Sequence, residues 1–251
     1  MDIRQLMLPS GVGLTHVKVY DAPGADGSAA GGGAHIHTVC SEVYYTLAGT
    51  GAIELLSFEG LKTVDLLPGK VVCFRPGVAH RLLNPHANLE ILAIMQNGGL
   101  PERGDFVMTF PTETLASPAA YSQAVRVSGD QDALRRRDLS ITGFEVLKQA
   151  MVRDREKGRE LLRQFYRMAR NLIAPKVDGF EWVLKSGAQA EAKFSLDAVD
   201  FLRLGRTDYL EHATHNELFP FNAPGTNGMV GTLHAYALGD TTHTAEGKKV
   251  A

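Results

Sequence analysis

Cysteine is scarce: Cys40 and Cys73 are the only two in 251 residues. Two thiols build no disulfide framework, and the sequence predicts reduced cysteines in a cytoplasmic protein. No apolar run approaches the roughly 20 residues that a membrane-spanning helix needs. The opening MDIRQLMLPSGVGLTHVKVY lacks a basic stretch followed by an apolar one, so no signal peptide is expected. An excess of either charge is lacking too. Twenty-six Lys and Arg stand against 28 Asp and Glu, a net charge of −2, which argues against nucleic acid or an anionic membrane as partner. No internal repeat is visible. What is present is 44% hydrophobic residues, enough for a buried core, and length for one domain with a large extension or for two small ones.

Between about residues 11 and 96 the chain reads as short β runs separated by turn signals. VGLTHVKVY, EVYYTLA, GAIELLSF, LKTVDLL, KVVCF, HRLLN and LEILAIMQ are rich in Val, Ile, Leu, Phe and Tyr, and AGTG, FEG, LPG, RPG and NPHAN punctuate them. This spacing predicts an antiparallel sandwich or barrel. The glycine-rich stretch DAPGADGSAAGGG, residues 21–33, predicts a surface loop with the composition of a lid. A helical pattern follows over about 142–173. Leu161, Phe165, Met168 and Leu172 mark its apolar face, Arg159, Arg163, Arg167 and Arg170 a solvated opposite face, and Pro175 its end. The remainder mixes a helical SLDAVDFLRLG, a loop PFNAPGTNG and a strand-like MVGTLHAYAL.

One segment, GAHIHTVCSEVYYTLAGTG, carries chemistry. His35 and His37 are two apart in an extended run and so face the same way. Glu42 opens the next run, and Gly49 and Gly51 close it with a turn that tolerates positive φ. Further on, GKVVCFRPGVAHRLLN places Gly69, Gly77, His80 and Asn84 around a turn and a strand. If adjacent strands set His80 beside His37, three imidazoles and a carboxylate converge inside the barrel. That set is costly in a dry core unless it shares a cation. A divalent metal accepts all four, and nitrogen with oxygen donors suits Fe, Mn, Zn, Ni or Cu without choosing among them.

These residues resemble the two motifs of the cupin superfamily, G-x5-H-x-H-x3-4-E-x6-G and G-x5-P-x-G-x2-H-x3-N. The first is met by His35, His37, Glu42 and Gly49; its leading glycine falls on Ala29, with Gly31 to Gly33 nearby. The second is met by Gly69, Gly77, His80 and Asn84, with Arg75 where the family has proline and Pro76 adjoining Gly77. The resemblance implies an all-β cupin barrel, a double-stranded β-helix, over 10–110, and it is silent on a helical or α+β C-terminal extension over 130–251. It also implies one divalent metal on His35, His37, Glu42 and His80. HRLLNPHANLEILAIMQNGG is similar to mannose-6-phosphate isomerase-like cupins, although Ile94 stands where a glutamate is expected and no basic cluster marks a phosphate site.

Around this set, Tyr44 shares the parity of Glu42 and is expected to point inward as an acid–base candidate or a wall aromatic, with Tyr45 outward. Cys40 reads as a small loop residue, Phe74, Leu82 and Leu92 as barrel filling, and Arg75 as a surface residue near the mouth. His212 and His215 would share a helix face, while His16, His86, His234 and His243 suggest no role. Three function classes fit: a metal-dependent isomerase of a small oxygenated metabolite (a sugar or a hydroxy or keto acid), an Fe(II) dioxygenase, and a non-catalytic binding protein. Isomerase leads narrowly, with a small-molecule substrate and a homodimer as the expected partners.

Overall fold

The computed structural model describes residues 7–25, 27–220 and 224–238. His243, the first six residues and part of the PFNAPGTNG loop lie outside them. The predicted alternating runs form strands β1 (Gly13–Val19), β2 (His35–Ile36), β3 (Glu42–Ala48), β4 (Gly51–Ser57), β5 (Gly60–Leu66), β6 (Val71–Phe74), β7 (Ala79–Leu83) and β8 (Glu90–Met95), with a short β9 (Val107–Met108). Helices α1 (Thr112–Leu115), α2 (Pro118–Val125), α3 (Asp130–Arg153), α4 (Arg155–Ile173), α5 (Val177–Ser186) and α6 (Ala188–Arg203) follow, then β10 (Leu218–Pro220), β11 (Thr226–Asn227) and β12 (Gly231–Leu238). Among the described residues no helix is long and apolar enough to cross a membrane.

All pairings are antiparallel. One sheet runs β10-β12-β1-β8-β3-β6 and the other β5-β4-β7-β2-β9. The alternation between sheets, with β1-β8-β3-β6 facing β2-β7-β4-β5, is the strand order of a jelly roll, the double-stranded β-helix that the resemblance implies. Period-two alternation fills its interior with Val17, Tyr44, Ile53, Leu82, Ile91 and Ala93, among others. A second core lies outside the smaller sheet, where Ile36, Leu56 and Met108 pack with Phe144, Leu162 and Phe165 of the helices. The β4, β7 and β2 part of the smaller sheet is therefore buried on both faces, while β5 keeps Lys62, Thr63 and Asp65 exposed; His35 of β2 and His37 after it turn into the barrel and Ile36 into the helical layer.

Three expectations are corrected. The helical pattern over 142–173 is a hairpin, not one helix. Asp154 leaves helical geometry and caps α4, accepting from the amides of Glu156 and Lys157. The buried stripe of α4 is Gly158, Leu162, Phe165, Ala169 and Ile173, which shares Phe165 with the predicted stripe and otherwise lies one residue on, whereas Arg159, Arg163 and Arg167 of the opposite face pair with Glu156 and Glu160. Residues 21–25 and 27–33 are surface chain, exposed at Pro23, Ala25, Gly27 and Ala29, but anchored rather than free. Arg137, itself buried, donates to the carbonyls of Ala22 and Pro23, and Gly32 and Gly33 donate to Leu82 and Met229. Leu92 is not barrel filling: its parity in β8 turns it outward, opposite Tyr45.

Candidate metal centre

β2 and β7 are neighbours, and the residue directly across from His80 is His35 rather than His37. His37, Glu42 and His80 complete the group, and all four are buried. One ligand atom from each lies within 4.8 Å of the others. His37 Nε2 and His80 Nε2 stand 3.6 and 3.4 Å from Glu42 Oε2, and the His35 and His80 rings are 4.2 Å apart between centroids.

Backbone carbonyls set the ring orientations. Nδ1 of His35 meets the Gly33 carbonyl at 3.1 Å, that of His80 meets Val78 at 3.0 Å, and that of His37 meets Asp105 at 2.5 Å. Each Nδ1 donates as an N–H, leaving each Nε2 a lone pair turned into the cluster. Glu42 Oε2 and His80 Nε2 are buried and make no hydrogen bond among the described residues. With Glu42 ionised these are two acceptors facing each other in a dry interior, which is unfavourable; a proton on Glu42 relieves it, and so does a divalent cation, so the residues present fit one.

Electrostatics agree with that fit. Burial pushes the Glu42 carboxyl up to about 8; the Tyr44 hydroxyl, hydrogen-bonded to it, offsets part of the rise, and Asp105 adds to it. Burial drives His80 down to about 3 and His35 well below its ordinary range, with the neighbouring imidazoles pushing the same way. His37 is also lowered by burial, which outweighs the opposing pull of Asp105. The imidazoles are thus neutral, the form that binds metal.

Asp105 is a site residue the sequence reading missed. Fully buried, its carboxylate accepts from the amides of Thr38, Val39 and Cys40 and from the Thr38 hydroxyl, while its own carbonyl takes His37 Nδ1. It fixes both the turn after β2 and the tautomer of His37. No spacing rule links it to the histidines, since it lies almost seventy residues downstream. Asn84, read as a motif member, has a structural role: its amide donates to the carbonyls of Val19 and Tyr20, and its oxygen accepts from Asn88 and Leu89.

The cluster opens into a small cavity. His35, His37, Glu42 and Tyr44 line its floor, and Val17, Ala93, Met95 and Leu233 are among its apolar walls. Glu102 and Tyr236 also line it, and no lysine or arginine does among the described residues. Tyr44 points inward as expected, fully buried, and burial together with Glu42 holds its hydroxyl well above the ordinary range. Several wall residues (Met229, Val230, Leu233, Ala235, Tyr236) come from the far C-terminal part, which no motif or spacing ties to the site.

Other candidates fall elsewhere. Arg75 is exposed and does not line the cavity. Ile94 faces outward, so a glutamate there would not reach the cluster. His212 ends a 3-10 turn and His215 follows in irregular chain, both exposed, so they share no helix face. Cys40 is buried with its thiol raised by burial, and Sγ lies 3.6 Å from the Asn97 carbonyl. His16 pairs with Glu90 on the outer face at 2.7 Å.

No family model matches this chain, and no curated protein does. Among solved structures it is partly similar to the DMSP lyase DddQ from Ruegeria pomeroyi, at 21% identity and a TM-score of 0.31, covering 41% of this chain and 45% of that one. It is also partly similar to Peruvianin-I, a cysteine peptidase from Thevetia peruviana latex, at 20% and 0.29, covering 35% and 53%. An uncharacterized protein with a double-stranded beta-helix domain from Klebsiella pneumoniae gives 15% and 0.28, covering 38% and 70%. Each likeness spans less than half of this chain. The fold rests on the strand order, and the chemistry on the cluster.

Proposed function

We propose that this cupin-type jelly roll is a metal-dependent enzyme in which His35, His37, Glu42 and His80 hold one divalent ion beside a small, mostly apolar cavity. The observation that carries this reading is the set of three Nδ1 atoms tied to backbone carbonyls, which leaves the Nε2 atoms and a buried carboxylate turned toward one another. An ion held there would supply Lewis acidity toward a carbonyl, carboxylate or hydroxyl oxygen of a bound ligand.

The chain's own groups set the rest. Tyr44 keeps its phenolic proton at neutral pH and holds it in a hydrogen bond to Glu42, the donor nearest the ligand group that a bound oxygen would compete for. Glu102 supplies a carboxylate at the cavity that is not part of the ligand group and so can accept a proton. The aliphatic walls strip water from the apolar body of a ligand. Without a basic wall residue the cavity has nothing to pair with a phosphate distant from the cluster, which turns the reading from sugar phosphates toward uncharged oxygenated metabolites or monocarboxylates. Proton transfer on such a compound, as in an isomerase or lyase, is the reaction class that uses Tyr44 and Glu102. Three nitrogens and one oxygen also suit ferrous iron, which keeps an oxygen-dependent reaction as the competing reading.

Elemental analysis of protein purified without oxygen or added metal tests this. About one equivalent of a divalent transition metal is expected, lost in His37→Ala and in His80→Ala while circular dichroism still reports a folded β protein. Unchanged metal content in both variants would sink the assignment. Oxygen consumption by iron-loaded protein would favour the competing reading.

A further inference from the structure

Successive backbone amides, those of Thr38, Val39 and Cys40, converge on one buried carboxylate, Asp105, at 2.9, 2.9 and 2.8 Å. Such a concave run of amides holds an anion in place. The turn it gathers, residues 38–41, joins two members of the ligand group, His37 before it and Glu42 after it. The same turn meets segment 96–105 near both of its ends. At one end the Ser41 carbonyl accepts from the Gln96 amide at 3.0 Å, and Cys40 Sγ lies 3.6 Å from the Asn97 carbonyl. At the other, the Asp105 amide donates to the Leu100 carbonyl at 3.0 Å, and the Asp105 carbonyl takes His37 Nδ1. Between those anchors Gly98, Gly99, Pro101 and Glu102 line the cavity. A stretch of cavity wall therefore leaves the metal-ligand turn and returns to it.

We propose that Asp105 is a positioning residue that couples the metal centre to this wall: an ion on His37 and Glu42 orders residues 97–104, Glu102 included, and Asp105 in turn tightens the hold on the ion. The inference rests on the metal reading above. An ion shared by His37 and Glu42 pins both ends of the turn between them and removes freedom that the turn has without it. Its amides then keep their aim at Asp105, and the segment that ends in Asp105 loses freedom with them. Linkage makes the effect reciprocal. Whatever fixes the segment, a ligand resting on Glu102 among them, raises affinity for the ion by the same factor. Two further ties hold the segment, the Gly98 amide on the Gly11 carbonyl at 2.7 Å and the Arg103 guanidinium 4.9 Å above the Trp182 ring. Neither involves a member of the ligand group, so they steady the segment without sensing the ion.

The test is hydrogen exchange of the full chain, stripped of metal by a chelator, with and without saturating zinc. Zinc should slow exchange at Leu100, Arg103, Gly104 and Asp105, whose amides bond within the segment, by at least about tenfold. The β4–β5 hairpin, which holds no ligand, should change far less. Asp105→Asn keeps the size of the side chain but cannot accept from all of its donors. It should weaken zinc binding by about 10–100-fold and abolish the slowing. Gly158→Ala separates this from simple loss of stability: its Cβ would sit 2.4 Å from the Met151 backbone in the helical layer, away from the cluster, and zinc affinity should not change. Should Asp105→Asn fail to fold, Thr38→Val removes one donor, leaves the three amides and should weaken zinc binding severalfold. Equal slowing in hairpin and segment would mean that zinc only stabilises the whole fold, which overturns the inference. So would unchanged zinc affinity in whichever of the two site variants folds. A natural chain that binds no zinc would overturn the metal centre itself, and this coupling with it.

Discussion

Burial gives the four clustered side chains opposite pH behaviour, and the metal-free protein should show it. The Glu42 carboxyl is pushed up to about 8 from an ordinary value near 4.5, so it favours the fold below that ordinary value and loses this contribution as pH rises through about 8. His80, pushed down to about 3, favours the fold above its ordinary range near 6.5 and loses its contribution as pH falls toward 3. At pH 7 the imidazoles are therefore neutral and the carboxyl is largely protonated. Zinc binding to the metal-free protein at pH 7 should release about one proton, taken from Glu42, and close to none at pH 9. Titration calorimetry in two buffers of different ionisation enthalpy measures this directly, and Glu42→Gln should abolish the release. Two or more protons at pH 7 would mean that the histidines, too, hold protons in the empty site.

At the scale of elements, what the sequence revealed was local. Strands β3 to β8 were legible because alternation and Gly or Pro turns are properties of neighbouring residues. The split between α3 and α4 was hidden because Asp154 and Arg155 are neither Gly nor Pro, and the break shows only as a cap. Still less visible was how closely α3 approaches β9. Gly143 lies in the middle of α3, where glycine costs about 1 kcal/mol against alanine. The structure explains its presence, since a Cβ there would sit 2.0 Å from the Thr109 carbonyl oxygen and 2.7 Å from Phe110 backbone atoms. Backbone cannot give way as a side-chain tip can, so overlap outweighs propensity. Gly143→Ala should destabilise the protein by about 2–4 kcal/mol. Gly179→Ala in α5, whose nearest neighbour is the Arg103 side chain at 3.5 Å, should instead be neutral or stabilising by up to about 1 kcal/mol. Chemical denaturation of the two variants separates these signs. Equal effects would mean that propensity alone decides both positions.

Across the whole molecule, the metal-site motifs and the far C-terminal β12 meet at one cavity, and buried Arg136 ties the turn before β12 to the helices. The metal-site motifs sit before residue 85, the helices follow, and β12 returns to pair with β1 and complete the wall over the cluster. That return depends on long-range register, which is why the site's floor could be read from the sequence and its wall could not. Arg136 of α3 donates to the Gly228 and Asn227 carbonyls at the turn leading into β12, and to Val125 at the end of α2. Hydrogen bonds from a charged group contribute about 1.5–3 kcal/mol each, and losing them leaves the Gly228 carbonyl with the Tyr20 hydroxyl as its remaining side-chain donor among the described residues. Arg136→Met keeps the aliphatic bulk and removes the donors. Its effect should be regional: amide exchange in β12 should quicken at least tenfold, while β3 and β8, which lie deeper in the same sheet and take no bond from Arg136, keep their protection. Hydrogen exchange read by mass spectrometry resolves the two. Metal content should be unchanged, because no ligand lies in β12, while any ligand that needs Leu233, Ala235 or Tyr236 should bind more weakly. Exchange that quickens equally in β3, β8 and β12 would mean that the wall and the barrel open as one cooperative unit, with Arg136 stabilising the whole fold instead of fastening the wall to it.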